Sequence, residues 1–121
     1  MEHYLINHCA PTLASLKTAN LFNYNFTSET ELYDQLFRLN EMLEAKGVSL
    51  TVLRKTASSA LIYVYRKKNL ERDLASKTSA CILKKFGYTD LSADGAIAHL
   101  ADRIGRTGEF PHEIGLFLGY P

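Results

Sequence analysis

Two β-rich segments joined by a very short connection constrain the fold of this chain more than any other feature. Residues 48–55 alternate between two sets of side chains, and residues 60–66 are rich in β-branched and aromatic residues. Only the segment Thr56-Ala57-Ser58-Ser59 lies between them, and small polar residues of this kind suit a tight turn. We therefore expect two adjacent antiparallel strands.

A third strand and a long helix precede this hairpin. Residues 21–26 alternate, so that Phe22, Tyr24 and Phe26 would share one face of a strand. A helix over residues 28–46 follows from a capping-box pattern, a leucine repeat at helical spacing and a terminating glycine, namely Ser28 with Glu31, then Leu32, Leu36, Leu39 and Leu43, then Gly47.

The remaining segments are helical in character. A brief helix is predicted to begin at Pro11 and end near Lys17, and further helices are expected over 69–75 and 79–86, the latter with Cys81, Ile82 and Phe86 on its inner edge. Two more are expected, from Ser92 to Gly108 and from Pro111 to Gly119. The prediction is an α+β fold with a small, mainly antiparallel three-stranded sheet covered by helices.

Length and composition narrow the class of protein. A chain of 121 residues with 46% hydrophobic residues suits one domain over residues 1–121. The net charge of +1 gives no electrostatic reason to expect nucleic acid or a membrane surface as a partner. Two cysteines without a regular spacing predict reduced thiols and no Cys-rich zinc module. No signal-peptide pattern and no apolar run of roughly 20 residues is found, so a cytoplasmic protein is expected.

The N-terminal motif contains a cysteine that could be reactive. Cys9 precedes Pro11 by two residues, so its sulfur could lie at the positive end of a helix dipole, with His8 or Lys17 adding positive charge. Such an environment lowers a thiol pKa and yields a nucleophile. The structural alternative is that Cys9 is a small buried apolar residue, which is the commonest role of a free cysteine.

The C-terminal motif holds a second pair of candidate groups. His112 and Glu113 would occupy the first turn of the last helix, where a carboxylate is favoured by the dipole and an imidazole could exchange protons. Capping and packing would explain both residues equally well. If the chain ends meet, His8, Cys9, His112 and Glu113 would form one catalytic cluster in a shallow pocket. Their spacing matches no zinc pattern, so neither a metal nor a cofactor is expected.

Two tyrosines and a basic run at the end of the second hairpin strand suggest a nucleic-acid surface only weakly. Tyr63 and Tyr65 lie close to the basic run Arg66-Lys67-Lys68, an arrangement that could bind nucleic acid. Strand tyrosines usually pack against neighbouring strands, and lysines after a strand usually face solvent. We therefore expect a structural role for these residues.

Several motifs together resemble the family known as domain of unknown function 3793, whose members are small cytosolic proteins mainly of anaerobic Gram-positive bacteria. The resemblance covers nearly the whole chain and is carried by His8-Cys9 with Pro11-Thr12-Leu13-Ala14 and Lys17, by Asn20-Leu21-Phe22, by residues 60–66, and by the run from Gly108 to Pro121. It implies no activity, substrate or catalytic residue. It does imply that members continue beyond Gly119-Tyr120-Pro121, so the chain is expected to be a shortened member or the N-terminal part of a longer domain, with an exposed apolar patch near Leu116 and Phe117.

The sequence thus leaves two functions open. The leading hypothesis is a non-enzymatic cytosolic accessory or protein-interaction domain, because the core pattern is good and no complete catalytic constellation is visible. The alternative is a thiol-dependent enzyme with Cys9 as nucleophile and His8 or His112 as base. The expected partner is a protein, and the oligomeric state is open.

Overall fold

A computed structural model describes residues 1–14 and 17–119 of the chain, except for the side chains of Tyr4 and His8. Its sheet has three antiparallel strands in the order β1-β3-β2, which confirms the predicted α+β fold. The strands are β1 (Ala19–Asn25), β2 (Val48–Lys55) and β3 (Ser59–Arg66). The helices are α1 (Glu2–Leu13), α2 (Glu29–Leu43) with a 3₁₀ turn at Glu44–Lys46, α3 (Lys67–Ala75), α4 (Lys77–Lys85), α5 (Ala93–Thr107) and α6 (Ile114–Phe117).

The central strand β3 divides the apolar interior into two cores. Because side chains alternate along a strand, Ile62 and Val64 face one side of the sheet, while Leu61 and Tyr63 face the other. Helices α1 and α2 cover the first side, called here the α2 face, and helices α3 to α6 cover the second, called the α5 face. Strand β3 is therefore buried on both sides of the sheet.

Helix α2 forms as its sequence predicts. The Ser28 hydroxyl accepts a hydrogen bond from the Glu31 amide at 3.3 Å, which caps the first turn. The helix buries the four leucines of the repeat. Gly47 ends the segment with a φ of 73°, a left-handed conformation that favours glycine.

Helix α1 differs from the prediction because it begins at Glu2 and bends near Pro11. Cys9 has non-helical angles (φ −121°, ψ 15°), and Pro11 lies in the turn that follows. Proline costs no hydrogen bond in the first turn of a helix, so the helical segment after the kink begins next to Pro11, as predicted. It ends at Leu13 rather than near Lys17, and a further helical segment precedes it. The earlier start was missed because Leu5 and Cys9, the buried pair of the first half, are too few to show helical periodicity.

Two smaller predictions about helices are wrong. Cys81 is exposed rather than on the inner edge of α4, and Leu83 is buried instead. The helix begins after Ser76, whose hydroxyl accepts a hydrogen bond from the Ser79 amide. The last helix is a single turn that begins at Ile114, because the residues after Pro111 form a turn in which the Ile114 amide donates to the Pro111 carbonyl at 3.1 Å.

The outer edge of β2 is closed by a side chain of α2. The Asn40 amide nitrogen donates to the Leu50 carbonyl at 3.0 Å, and the Asn40 carbonyl accepts from the Leu50 amide at 2.7 Å. Both backbone groups of Leu50 therefore point away from β3, and Asn40 satisfies them in place of a further strand.

Arg66 joins the ends of three elements. At the end of β3 its guanidinium donates to the carbonyls of Thr12 (2.8 Å) and Leu13 (2.7 Å) in α1 and to that of Lys46 (2.6 Å). These carbonyls lie in the last turn of α1 and in the 3₁₀ turn, so the contact acts as a shared C-terminal cap. Arg66 thus has a structural role, as expected for the basic run that it opens.

Candidate functional site

A buried carboxylate lies at the centre of the C-terminal motif. Glu113 is 1% exposed and forms an ion pair with the Arg103 guanidinium, in which Nη2 donates to Oε1 at 3.2 Å and Nε contacts Oε2. The Tyr88 hydroxyl donates to the same carboxylate at 2.9 Å. Both carboxylate oxygens are thus engaged, which is what burial of this charge requires.

Three elements bring this network together on the α5 face. Tyr88 follows Gly87, whose φ of 89° ends α4, Arg103 is on α5, and Glu113 immediately precedes α6. Burial, reinforced by the hydrogen bond to Glu113, raises the pKa of Tyr88 above its ordinary value, so this hydroxyl stays a donor. The network is therefore a fixed tie between the C-terminal motif and the core.

Next to this tie lies an open cleft of about 390 Å³. His112 lies exposed at its rim, while the adjacent Glu113 points inward, so the two residues do not share one environment. His99 contacts the Tyr88 ring edge-on at 4.3 Å, and its Nε2 lies 3.1 Å from the Phe86 carbonyl oxygen. The cleft is lined by Phe86, His99, Asp102, Arg103, Arg106, Thr107, Glu109, Phe110, Pro111 and His112.

Cys9 lies on the opposite side of the sheet from Glu113. It is fully buried in the apolar cluster of the α2 face, whereas Glu113 contacts residues of the α5 face. The prediction that Cys9 shares a pocket with His112 or Glu113 is therefore wrong, and the side chain of His8 lies outside the described residues. The motifs do approach at another point, since a Cβ at Gly119 would lie 3.0 Å from the Thr18 Cβ.

The environment of Cys9 disfavours the thiolate. Burial raises its pKa from 9.0 to about 11, and Lys17 offsets this only in part. The helical segment that follows Cys9 ends at Leu13, about one turn later, so the helix dipole invoked from the sequence is weak here. A nucleophilic Cys9 stays a prediction from the sequence that this geometry opposes.

The rate of alkylation measures directly whether the Cys9 thiol is reactive in the native protein. At pH 8 a pKa of about 11 leaves roughly one Cys9 in a thousand as thiolate, and the side chain is also fully buried. We expect iodoacetamide to add one group to the native protein, at exposed Cys81, and two groups in guanidinium, as seen by intact mass. The Cys81→Ser variant should take none in the native state, and rapid native labelling of Cys9 would restore the thiol-enzyme hypothesis.

The paired tyrosines have the structural role expected of them. Tyr63 and Tyr65 are buried and stack at 5.0 Å between ring centroids, and the Tyr63 hydroxyl donates to the Phe117 carbonyl. Phe117 is itself fully buried, so the apolar patch expected around it is not exposed. These rings fill the core of the α5 face and offer no surface for stacking with bases.

A larger concavity than this cleft lies elsewhere, between α2 and the start of α3. This groove, called here the α2 groove, has a volume of about 740 Å³. Phe37 forms part of one wall at 65% exposure, and Lys46, Lys67 and Lys68 lie on the other side, all exposed. This groove was not predicted from the sequence, because Phe37 falls outside the leucine repeat and is distant in the chain from Lys67 and Lys68.

The described residues contain neither a cluster of metal ligands nor a membrane-spanning helix. No three His, Cys, Asp or Glu side chains in residues 1–14 and 17–119 converge as metal ligands would. Within the same ranges, the helices are too short or too polar to cross a membrane.

Comparison with known proteins places the chain in a family. No curated protein and no solved structure gives a significant match. The family model described as Protein of unknown function (DUF3793) matches residues 5–121, which include the N-terminal motif from Leu5, the sheet and the C-terminal motif. The chain belongs to the DUF3793 family.

Proposed function

We propose that the chain is a cytoplasmic protein-interaction domain that binds a segment of another protein in the α2 groove. The observation that carries the proposal is the exposure of Phe37, which is 65% accessible and forms part of this groove. Among the described residues it is the most exposed large hydrophobic side chain. An exposed aromatic ring at the rim of a concave surface is typical of a binding site for a protein.

Phe37 is exposed although helix α2 already packs against the sheet through other residues. Helix α2 already buries its four leucines against the sheet, and Tyr33 and Phe37 form a second stripe one turn apart on its flank. Tyr33 is 47% exposed and holds the Lys55 ammonium 5.5 Å from its ring centroid. Burying a phenylalanine side chain fully gains about 1.5–3 kcal/mol, and a partner that covers this stripe would gain part of that free energy.

The charge of the groove indicates what the partner carries. Lys67 and Lys68 open α3, whose first turn has no acidic residue and no side-chain cap, so its free amides add to the positive potential. Arg66 contributes charge there, although its donors are occupied by backbone carbonyls. Glu41 and Glu44 also line the groove and offset part of the positive charge. Lys67 lies 3.9 Å from the Asp94 carboxylate, so Lys68 is the lysine of this pair that forms no ion pair with the described residues. The partner that fits is a peptide segment with an apolar side chain for Phe37 and a carboxylate for the lysines.

A matched pair of variants tests this function. A partner should co-purify with the wild-type protein and with Phe110→Asp, and its recovery should fall at least tenfold with Phe37→Asp. Phe110 is the matched control because it is similarly exposed (53%) but lines the cleft of His112. Reversing the charge of Lys67 and Lys68 to Glu should weaken the same complex, whereas the same change at the exposed Lys84 and Lys85 should not.

Two outcomes would contradict the proposal. One is a protein that purifies alone even after cross-linking in cells. The other is a partner whose recovery is equal for Phe37→Asp and Phe110→Asp, since binding would then use another surface.

A further inference from the structure

The two edges of the sheet are protected very differently. On β2, the Asn40 carboxamide forms hydrogen bonds with both outward backbone groups of Leu50. A register shift interrupts the strand between Val52 and Arg54, and Arg54 and Lys55 add positive charge. Each of these devices hinders the addition of another strand. Strand β1 pairs with β3 in continuous register and has neither a charged residue nor a proline in the sequence ANLFNYN.

The backbone groups on the outer edge of β1 can be assigned from its hydrogen bonds. The Thr18 carbonyl accepts from the Arg66 amide at 2.9 Å, and the Phe26 amide donates to the Ser58 carbonyl at 2.9 Å. Even-numbered positions therefore bond to β3, and the groups of Leu21, Asn23 and Asn25 point outward. In the described part of the chain, no bond from outside the sheet reaches Asn23 or Asn25, and both are exposed.

A second copy of the chain suits this edge. A two-fold axis places the central residue of the edge opposite its own copy, so a charge there would repel itself, and β1 carries no charge at any position. With Asn23 opposite the same residue of the second copy, Leu21 lies opposite Asn25, and the outward groups match in direction. Each Asn23 carboxamide has both a donor and an acceptor, so the two can bond to each other across the axis.

We propose that β1 pairs antiparallel with β1 of a second copy, centred on Asn23, and so joins two three-stranded sheets into one. The Leu21 amide already donates to the Asn20 side chain at 2.9 Å, so Asn23 and Asn25 supply the new amide donors. About four backbone hydrogen bonds form across the axis in this register. The inference is independent of the α2 groove, which lies at the opposite edge of the sheet beside β2.

The oligomeric state of the full chain tests the proposal. Analytical ultracentrifugation from micromolar to hundreds of micromolar should show wild-type dimers, and Asn23→Lys should weaken association at least tenfold because two lysines then meet on the axis. Thr27→Lys, just beyond the strand, adds the same charge and should dimerise like the wild type. Circular dichroism confirms that each variant is folded.

Hydrogen exchange supplies a second measurement that does not need a variant. The Asn23 and Asn25 amides should be protected at high protein concentration and exchange freely at low concentration. A wild-type monomer at all concentrations, or a dimer that Asn23→Lys leaves intact, would overturn the proposal. Protection of these amides only when another protein is added would also overturn it, because the edge would then accept a different partner.

Discussion

Glu113→Gln is expected to lower the free energy of unfolding by about 3 kcal/mol, because it leaves the Arg103 guanidinium without the carboxylate that compensates it. The glutamine keeps the shape of the side chain and can still accept from Tyr88, so the change isolates the charge. The side chain of Arg103 is 30% exposed, which places the effect at the low end of the range for buried pairs. Urea unfolding should show a lower midpoint with an unchanged slope.

A second variant separates an ion pair from a merely buried side chain. Replacing both residues, Arg103→Met with Glu113→Gln, removes both charges together, keeps an acceptor for the Tyr88 hydroxyl, and should recover most of the stability lost in the single variant. If Glu113→Gln instead unfolds within about 0.5 kcal/mol of the wild type, the tie is not structural. Glu113 would then return as a candidate reactive carboxylate.

Asn40→Ala is expected to cost about 2 kcal/mol, since it removes two hydrogen bonds from the backbone of Leu50. Asn40→Asp should be no better, because a carboxylate can accept from the Leu50 amide but faces the Leu50 carbonyl with a second acceptor. The measurement is again urea unfolding. Glu41→Ala, at the next and exposed position of α2, should stay within about 0.5 kcal/mol of the wild type.

The edge of β2 gives this prediction a second readout. With Asn40 gone, the outward groups of Leu50 are unpaired, and we expect slow concentration-dependent association that Glu41→Ala does not show. Equal stability of Asn40→Ala and Glu41→Ala would mean that water replaces the side chain at no loss, and that Asn40 does not protect the edge.

Local patterns predicted most of the secondary structure. The hairpin, the α2 leucines and the glycine stops at Gly47 and Gly108 depend on residues that are close in the chain, and each formed as expected. Their signals are periodicity and φ preference, which do not depend on the rest of the fold. Errors fell where few apolar residues define an element, as in the first half of α1 and the single turn of α6.

The candidate site was less predictable because its contacts join distant residues. Glu113 was singled out from the sequence, but Arg103 and Tyr88, the residues that explain its burial, carry no local sign of the role. Cys9 was singled out for its place before a helix N-terminus, but the helical segment that follows it is only about one turn long and the thiol is buried. The alternation of β3 placed the two motifs on opposite faces, a result of strand order that no local pattern reveals.

The most direct measurement of the central claim is photo-cross-linking from the α2 groove in cells. A benzophenone amino acid at position 37 should cross-link to one partner protein, and the same probe at position 110, on the other exposed aromatic site, should not. Reversal of Lys67 and Lys68 to Glu should reduce the adduct from position 37. If a partner binds in the α2 groove, the adduct forms from position 37 and depends on the lysines. Equal labelling from both positions, or no labelling from position 37, would contradict binding in this groove.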